Sequence, residues 1–214
     1  VQELNSLFTM IAYHSGMEFS YESMSNESGV KKETIRKYIQ YLEAAFLIKI
    51  VTRTDDTAKR FLRQTTFKIY LTNPSLRCAL FEPIKMIDGN IGDMIETAIY
   101  SQWIPRKGHI AYANWKMGRS QGEVDLVGIN DALQKPYWAV EIKWSDRFFD
   151  KPSELSSLQF FMEKNHLPQA LVTSISKGGA KNMNFGTLHF IPSACYAYTV
   201  GENTLRQAQK SFGL

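Results

Sequence analysis

The run Glu123-Val124-Asp125-Leu126-Val127-Gly128-Ile129, followed at a short distance by Tyr137-Trp138-Ala139-Val140-Glu141-Ile142-Lys143-Trp144, sets the architecture of this chain. Both segments are rich in β-branched and aromatic residues. The turn-forming run Asn130-Asp131-Ala132-Leu133-Gln134-Lys135-Pro136 separates them, so they predict two strands of a hairpin. Side chains alternate along a strand, which puts Glu141 and Lys143 on one face and Val140 and Ile142 on the other, towards a core. With the turn centred near Leu133, Asp125 faces Glu141; a two-residue slip would bring Glu123 opposite Glu141 instead. In either register one face gathers two or three carboxylates beside an ammonium.

Like charges a few ångströms apart raise one another's pKa, and a divalent cation relieves them. Carboxylate oxygens are hard ligands, which predicts Mg²⁺ or Mn²⁺ held by Asp125, Glu141 and the backbone carbonyl of Ile142. Glu96, set off the apolar face of a preceding helix, is the candidate fourth oxygen donor. Such a metal would polarise a phosphodiester and generate a hydroxide, with Lys143 orienting water or stabilising developing charge. The catalytic set is therefore Asp125, Glu141 and Lys143. The alternative is an ordinary cross-strand ion pair, contributing under about 1 kcal/mol. Apolar Val127 and Ala139 on the same face argue against a simply solvated surface.

Outward from this hairpin, residues 91–103 carry Met94, Ile95, Ala98 and Ile99 at helical spacing, and 110–115 read as a strand. A helix is expected over 154–165, then strands at 169–173 and 187–191, giving the order αβββαβ with one more strand. In the other direction, Ser20 is a candidate N-cap for a short helix stopped by Gly29. Ile35, Ile39, Leu42 and Phe46 then recur at helical spacing. Strands are expected at residues 48–51 and 66–71, joined by a polar, basic connector. This reads as a helix-turn-helix with a ribbon, that is, a winged helix. The expected fold is α/β (α+β), with a winged helix over 1–80 and a second domain with a mixed central sheet over 81–214.

Charge is unevenly spread. Residues 1–30 hold Glu3, Glu18, Glu22 and Glu27 and no Lys or Arg, whereas the basic residues Lys31, Lys32, Arg36, Lys37, Lys49, Arg53, Lys59, Arg60 and Arg63 crowd the next segment. On a winged helix these would lie along DNA phosphates, or form a solvated face on a domain that docks protein. The net charge of +4 and pI near 8.9 permit a nucleic-acid partner without requiring one.

An Asp at the head of one strand and Glu-x-Lys in the next, within the order αβββαβ, resembles the PD-(D/E)xK phosphodiesterase superfamily of restriction endonucleases and junction resolvases. More narrowly, the chain resembles the C-terminal region of a prokaryotic family of predicted AAA-type ATPases. There a P-loop module precedes a winged helix and a nuclease-like domain of unknown function. The residues that carry this likeness are Ser28-Gly29-Val30, Thr34-Ile35-Arg36-Lys37-Tyr38, Lys68-Ile69-Tyr70-Leu71-Thr72-Asn73-Pro74-Ser75-Leu76-Arg77, Trp115, Glu123-Val124-Asp125 and Val140-Glu141-Ile142-Lys143. The resemblance implies a restriction-endonuclease-like second domain, DNA as substrate, and an N-terminal ATPase module as partner. The chain has no G-x-x-x-x-G-K-[ST] run, so no ATP site is expected in it. Its start at Val1, inside the amphipathic pattern Leu4, Leu7, Phe8 and Ile11, predicts a piece of a longer polypeptide. Two further readings compete with the nuclease: an inactive binding or assembly module of the ATPase, and a winged-helix transcription regulator that senses a ligand.

Other classes are excluded by composition. With 44% hydrophobic and 21% charged residues, and 13 Phe, 10 Tyr and 4 Trp, the chain is neither disordered nor fibrous. The uncharged apolar run Ala44-Ala45-Phe46-Leu47-Ile48 falls far short of the roughly 20 residues a membrane helix needs. Cys78 and Cys195 are too few for a disulfide framework or a four-cysteine zinc site, so a cytoplasmic protein is expected, with oligomerisation left open. His14, His109, His166 and His189 lack the spacing of metal-ligand pairs. Gly118-Arg119-Ser120-Gln121-Gly122 matches a serine-hydrolase pattern, but a strand and not a helix should follow it. Phe148, Phe149, Phe160 and Phe161 read as core. Ser145, Asp146 and Arg147 follow the triad closely and read as a loop, with a phosphate contact as the alternative.

Overall fold

The computed structural model describes residues 2–59, 65–86, 88–104, 109–117 and 120–212. Among them are eight α-helices and nine strands, a mixed α/β architecture. The chain divides into two units, Val1–Thr52 with Arg63–Ile104, and Arg53–Leu62 with Pro105–Leu214.

In the first unit, α1 (Gln2–Tyr13) leads to β1 (Glu18–Ser20), α2 (Tyr21–Ser28) and α3 (Lys32–Ala44). Helix α2 starts at Ser20, whose side chain accepts from Ser23 N at 2.9 Å while Ser23 Oγ accepts from Ser20 N at 3.1 Å. This reciprocal pairing satisfies donors that a helix start leaves unpartnered. The helix stops at Gly29, which adopts φ 71°, a conformation that costs glycine little. Ile35, Ile39 and Leu42 of α3 are buried with Leu7 and Ile11 of α1 and Met24 of α2. Phe46 departs from this pattern. Helix α3 ends at Ala44, and Phe46 sits in the following turn at φ 56° with 79% of its surface exposed.

Strands β2 (Ile48–Thr54) and β3 (Thr66–Leu71) pair antiparallel, and β1 pairs with the other edge of β3. Helix α4 (Ser75–Leu80) follows, then α5 (Ile91–Trp103). The expected division at residues 80 and 81 assigns α5 to the second part of the chain. In the structure α5 packs on β3: Tyr100 stacks on Tyr70 with ring centroids 3.8 Å apart, and Thr97 Oγ1 lies 2.9 Å from Ser15 Oγ.

In the second unit, β4 (His109–Met117), β5 (Ser120–Asn130) and β6 (Lys135–Glu141) form an antiparallel meander. Gly128 lies under the Trp138 ring, where a Cβ would collide with the indole, and a β-bulge follows at once. After α6 (Arg147–Asp150), a 3₁₀ turn at Pro152–Glu154 and α7 (Ser156–Asn165), strand β7 (Gln169–Ser174) returns parallel to β6. The expected helix over 154–165 is thus a 3₁₀ turn followed by α7. Strand β9 (Gly186–Pro192) is parallel to β7, and β8 (Gly179–Met183) closes the order β4-β5-β6-β7-β9-β8. The core gathers Val127, Ala139, Leu158, Phe161, Met162 and Val172, with Phe148, Phe149 and Phe160 packed against it.

Beyond the sequence reading lie the short elements β1, α4 and α6 and, in this unit, two larger departures. The sequence predicts one strand beyond the αβββαβ core, and there are two, because β8 is a polar edge strand, Gly-Ala-Lys-Asn-Met, with no buried residue to mark it. The second is α8 (Ser193–Phe212), which places Tyr196 and Val200 in the interior. The segment 53–62, from the last two residues of β2 onward, also belongs to this unit. There Thr54 Oγ1 donates to Tyr112 O at 3.1 Å, and buried Asp56 pairs with Lys164 of α7 and accepts through its backbone carbonyl from Asn165 Nδ2 at 2.9 Å. Among the described residues no helix is long and apolar enough to cross a membrane.

Candidate functional site

Asp125 projects from β5 and Glu141 from the last position of β6. The pairs Leu126↔Val140 and Val127↔Ala139 set the register, which carried one step further puts Asp125 opposite Glu141. By alternation, Asp125 and Glu141 share their face with Val127 and Ala139, which are buried in the core beneath α7. The carboxylates therefore sit at the end of an apolar face, and both are buried, Asp125 to 7% and Glu141 to 6% exposure.

Strand β6 ends at Glu141, and the next two residues turn onto these acids. Ile142 N donates to Asp125 Oδ2 at 2.7 Å. Lys143 Nζ lies 2.7 Å from Glu141 Oε1 and 3.4 Å from Asp125 Oδ2. Glu141 Oε2 is buried with no hydrogen-bond partner. Burial, then the charge of Asp125, pushes the Glu141 carboxyl up to about 8, with Lys143 pulling the other way. Near neutral pH Glu141 thus holds a proton that a cation would have to displace. Nearby, Glu123 Oε2 accepts from Asn114 Nδ2 at 2.7 Å.

Two carboxylates from adjacent strands, one with an orphaned buried oxygen, fit a cation that keeps part of its water shell, as Mg²⁺ does. They do not make an all-protein cage: among the described residues no three His, Cys, Asp or Glu side chains converge to hold a metal ion. Glu96, the expected fourth donor, is committed within the first unit, where Oε1 accepts from Lys68 Nζ at 3.0 Å and from the Tyr70 hydroxyl.

The loop after β6 is held in place by Asp146, which accepts from the main chain of Ile175, Ser176 and Lys177 at 3.0, 2.8 and 3.1 Å and from Ser176 Oγ at 2.6 Å. These bonds, the Ser176 hydroxyl foremost, hold its carboxyl below the usual range. Arg147 pairs with Glu154. Two residues that sequence reasoning missed grip Lys143 itself. Thr173 Oγ1 accepts from Lys143 N at 2.8 Å and donates to Lys143 O at 3.0 Å, and Ser193 Oγ donates to the same carbonyl at 3.4 Å. They stand 30 and 50 residues from Lys143, so no local spacing signals them.

The basic residues of the first 60 positions are less uniform than their sequence suggests. Lys31 and Lys37 are exposed at the start and middle of α3. Lys32 pairs with Glu22 at 3.1 Å, Arg36 with Glu33 at 3.0 Å, and Lys49 with Glu43 at 2.8 Å. Arg53 is half-buried and donates through Nε to Asn114 O at 3.0 Å, and Lys59 is exposed. Arg60 and Arg63 lie outside the described residues, as do Gly118 and Arg119.

A family model described as Domain of unknown function (DUF8612) matches residues 1–86. It spans α1 to α4 and ends before the acidic hairpin. No curated protein and no solved structure matches the chain.

Proposed function

We propose that the chain is a metal-dependent DNA phosphodiesterase module: a winged helix, followed by a PD-(D/E)xK-like domain with its site at Asp125, Glu141 and Lys143. The single observation that carries this reading is the pair of buried carboxylates facing one another across β5 and β6, with the Glu141 Oε2 orphan and Lys143 at their side. The succession α1-β1-α2-α3-β2-β3, with β1 beside β3, fits a winged helix. The β4-β5-β6 meander followed by α7 and a parallel β7 fits the nuclease core. The likeness to the C-terminal region of AAA-type ATPases supports a partner module N-terminal to Val1 and a cytoplasmic setting.

Mg²⁺ or Mn²⁺ bound between the carboxylates would supply phosphodiester polarisation and a hydroxide nucleophile. Asp125 and Glu141 would hold it, with the main chain of Ile142 beside them. Lys143, with 29% of its side chain exposed, presents its ammonium where a phosphate oxygen gains charge. Exposed Lys31 and Lys37 would lie along the backbone of the nucleic acid.

A second reading has its own observation. Lys143 already bridges Glu141 and Asp125, so the site is partly neutralised without a metal, as in a nuclease fold kept for assembly of the ATPase alone. The two separate by incubating the protein with supercoiled plasmid, branched DNA and single-stranded DNA, in Mg²⁺ or Mn²⁺ against EDTA. The phosphodiesterase reading expects metal-dependent cutting that vanishes in Asp125→Ala and Lys143→Ala. Cutting that survives in Lys143→Ala would falsify the assignment, and no cutting by any sample favours the assembly module.

A further inference from the structure

The ladder between β6 and β7 is short. It pairs Val140 with Leu171 and Glu141 with Val172, and the next pair would be Ile142 with Thr173. A side chain takes over at that point. The Thr173 hydroxyl receives the Lys143 N–H and returns its own proton to the Lys143 carbonyl, so one oxygen satisfies both main-chain groups of the residue. The Ile142 N–H, released from the ladder, is taken by Asp125 on the opposite side. Ser193, at the head of α8, adds a second hold on the Lys143 carbonyl and ties it to Ser174 O at 2.9 Å. Thr173 and Ser193 are both buried. A fully buried hydroxyl must find a partner, and that of Thr173 takes both main-chain groups of the residue two past the end of β6. Here the hydroxyl takes over where the ladder ends at Glu141, and it fixes the peptide from which the Lys143 side chain departs.

We propose that Thr173 is the positioning residue of this site: its hydroxyl clamps the Lys143 main chain and so holds the ammonium against Glu141 and Asp125. Its importance to catalysis rests on the phosphodiesterase reading; the clamp itself does not. An isosteric valine keeps the shape and removes both bonds, leaving a buried N–H and C=O without partners. Serine restores the hydroxyl.

The test measures the rate at which each lysine of the whole protein is acetylated by acetic anhydride, site by site by mass spectrometry, in wild type, Thr173→Val and Thr173→Ser. The clamp predicts that Lys143 reacts about tenfold faster in Thr173→Val, the scale of losing two ordinary hydrogen bonds. Lys37 should be unchanged, and Thr173→Ser should return Lys143 to the wild-type rate. A merely structural role would speed the lysines together and would not be rescued selectively at Lys143. An unchanged Lys143 rate in a folded Thr173→Val overturns the proposal. If Thr173→Val does not fold, hydrogen exchange in wild type decides: the Lys143 amide must be among the slow ones, and rapid exchange overturns the clamp. Labelling as expected in a protein that neither cuts DNA nor responds to Mn²⁺ leaves the clamp standing and removes the phosphodiesterase. Cutting that persists with an unmoved Lys143 rate does the reverse.

Discussion

Each unit sets a lysine against acid, and the two clusters are balanced differently. In the first, Lys68 and Glu96 form one pair, and the Tyr70 hydroxyl donates to the same carboxylate oxygen. In the second, Lys143 stands between two carboxylates, and Glu141 keeps a buried oxygen that nothing in the structure satisfies. The chemical groups are nearly the same in both. The second carboxyl beside Lys143, which burial keeps protonated until a cation displaces its proton, is what distinguishes a site that can take a cation from the single pair of the first.

The contrast is most sharply broken from the balanced side. Glu96→Ala removes one partner of a buried ion pair and should cost about 3 kcal/mol, read as a lower denaturation midpoint at unchanged slope. A cost below about 1 kcal/mol would mean that the first cluster is as open as the second. Next comes the response to metal. Mn²⁺ at about 100 times its dissociation constant should stabilise wild type by about 2.7 kcal/mol, seen as a rise in Tm. Asp125→Ala should show no rise, and Glu96→Ala should keep it. A metal response in Asp125→Ala would place the cation elsewhere.

The smallest effect is the most specific. The Glu141 carboxyl is raised to about 8, from an ordinary 4.5, so between those values the folded protein holds a proton that the unfolded chain releases. That group's contribution to stability is full below about pH 4.5 and falls as pH rises towards about 8. A glutamine side chain at this position cannot ionise. In the absence of metal, Glu141→Gln should therefore gain on wild type with rising pH, levelling off above about pH 8. The net gain is about 1 kcal/mol once the lost contact with Lys143 is set against it. A Tm difference between the two proteins that stays flat from about pH 5 to about pH 9 would refute the raised pKa.

What the sequence disclosed follows the reach of each interaction. The start of α2 at Ser20, its stop at Gly29, and the buried stripe Ile35, Ile39 and Leu42 are local, and are legible from spacing and cap chemistry. The facing of Asp125 and Glu141 is legible because a hairpin turns register into counting from its centre. Phe46 misleads because it continues the period past the end of its helix. The partners of Glu96 lie 26 and 28 residues earlier, and the clamp on Lys143 lies 30 residues later. Periodicity carries no information at that range. Strand β8 escapes because an edge strand need not bury alternate residues, so the signal by which strands are read is absent from it.

The allocation of residues 53–62 to the second unit bears on how this protein could have been assembled or taken apart. The polypeptide passes from one unit to the other after Thr52, again after Leu62, and a third time after Ile104. No single cut therefore leaves both units intact. Severing at residue 86, where the family match stops, leaves Tyr70 without the ring that stacks on it and Lys68 without Glu96. Severing at 104 strands Asp56 away from Lys164 and Asn165. Exchange of these units between proteins as separate cassettes would need several coordinated junctions, so the pair is expected to be inherited together.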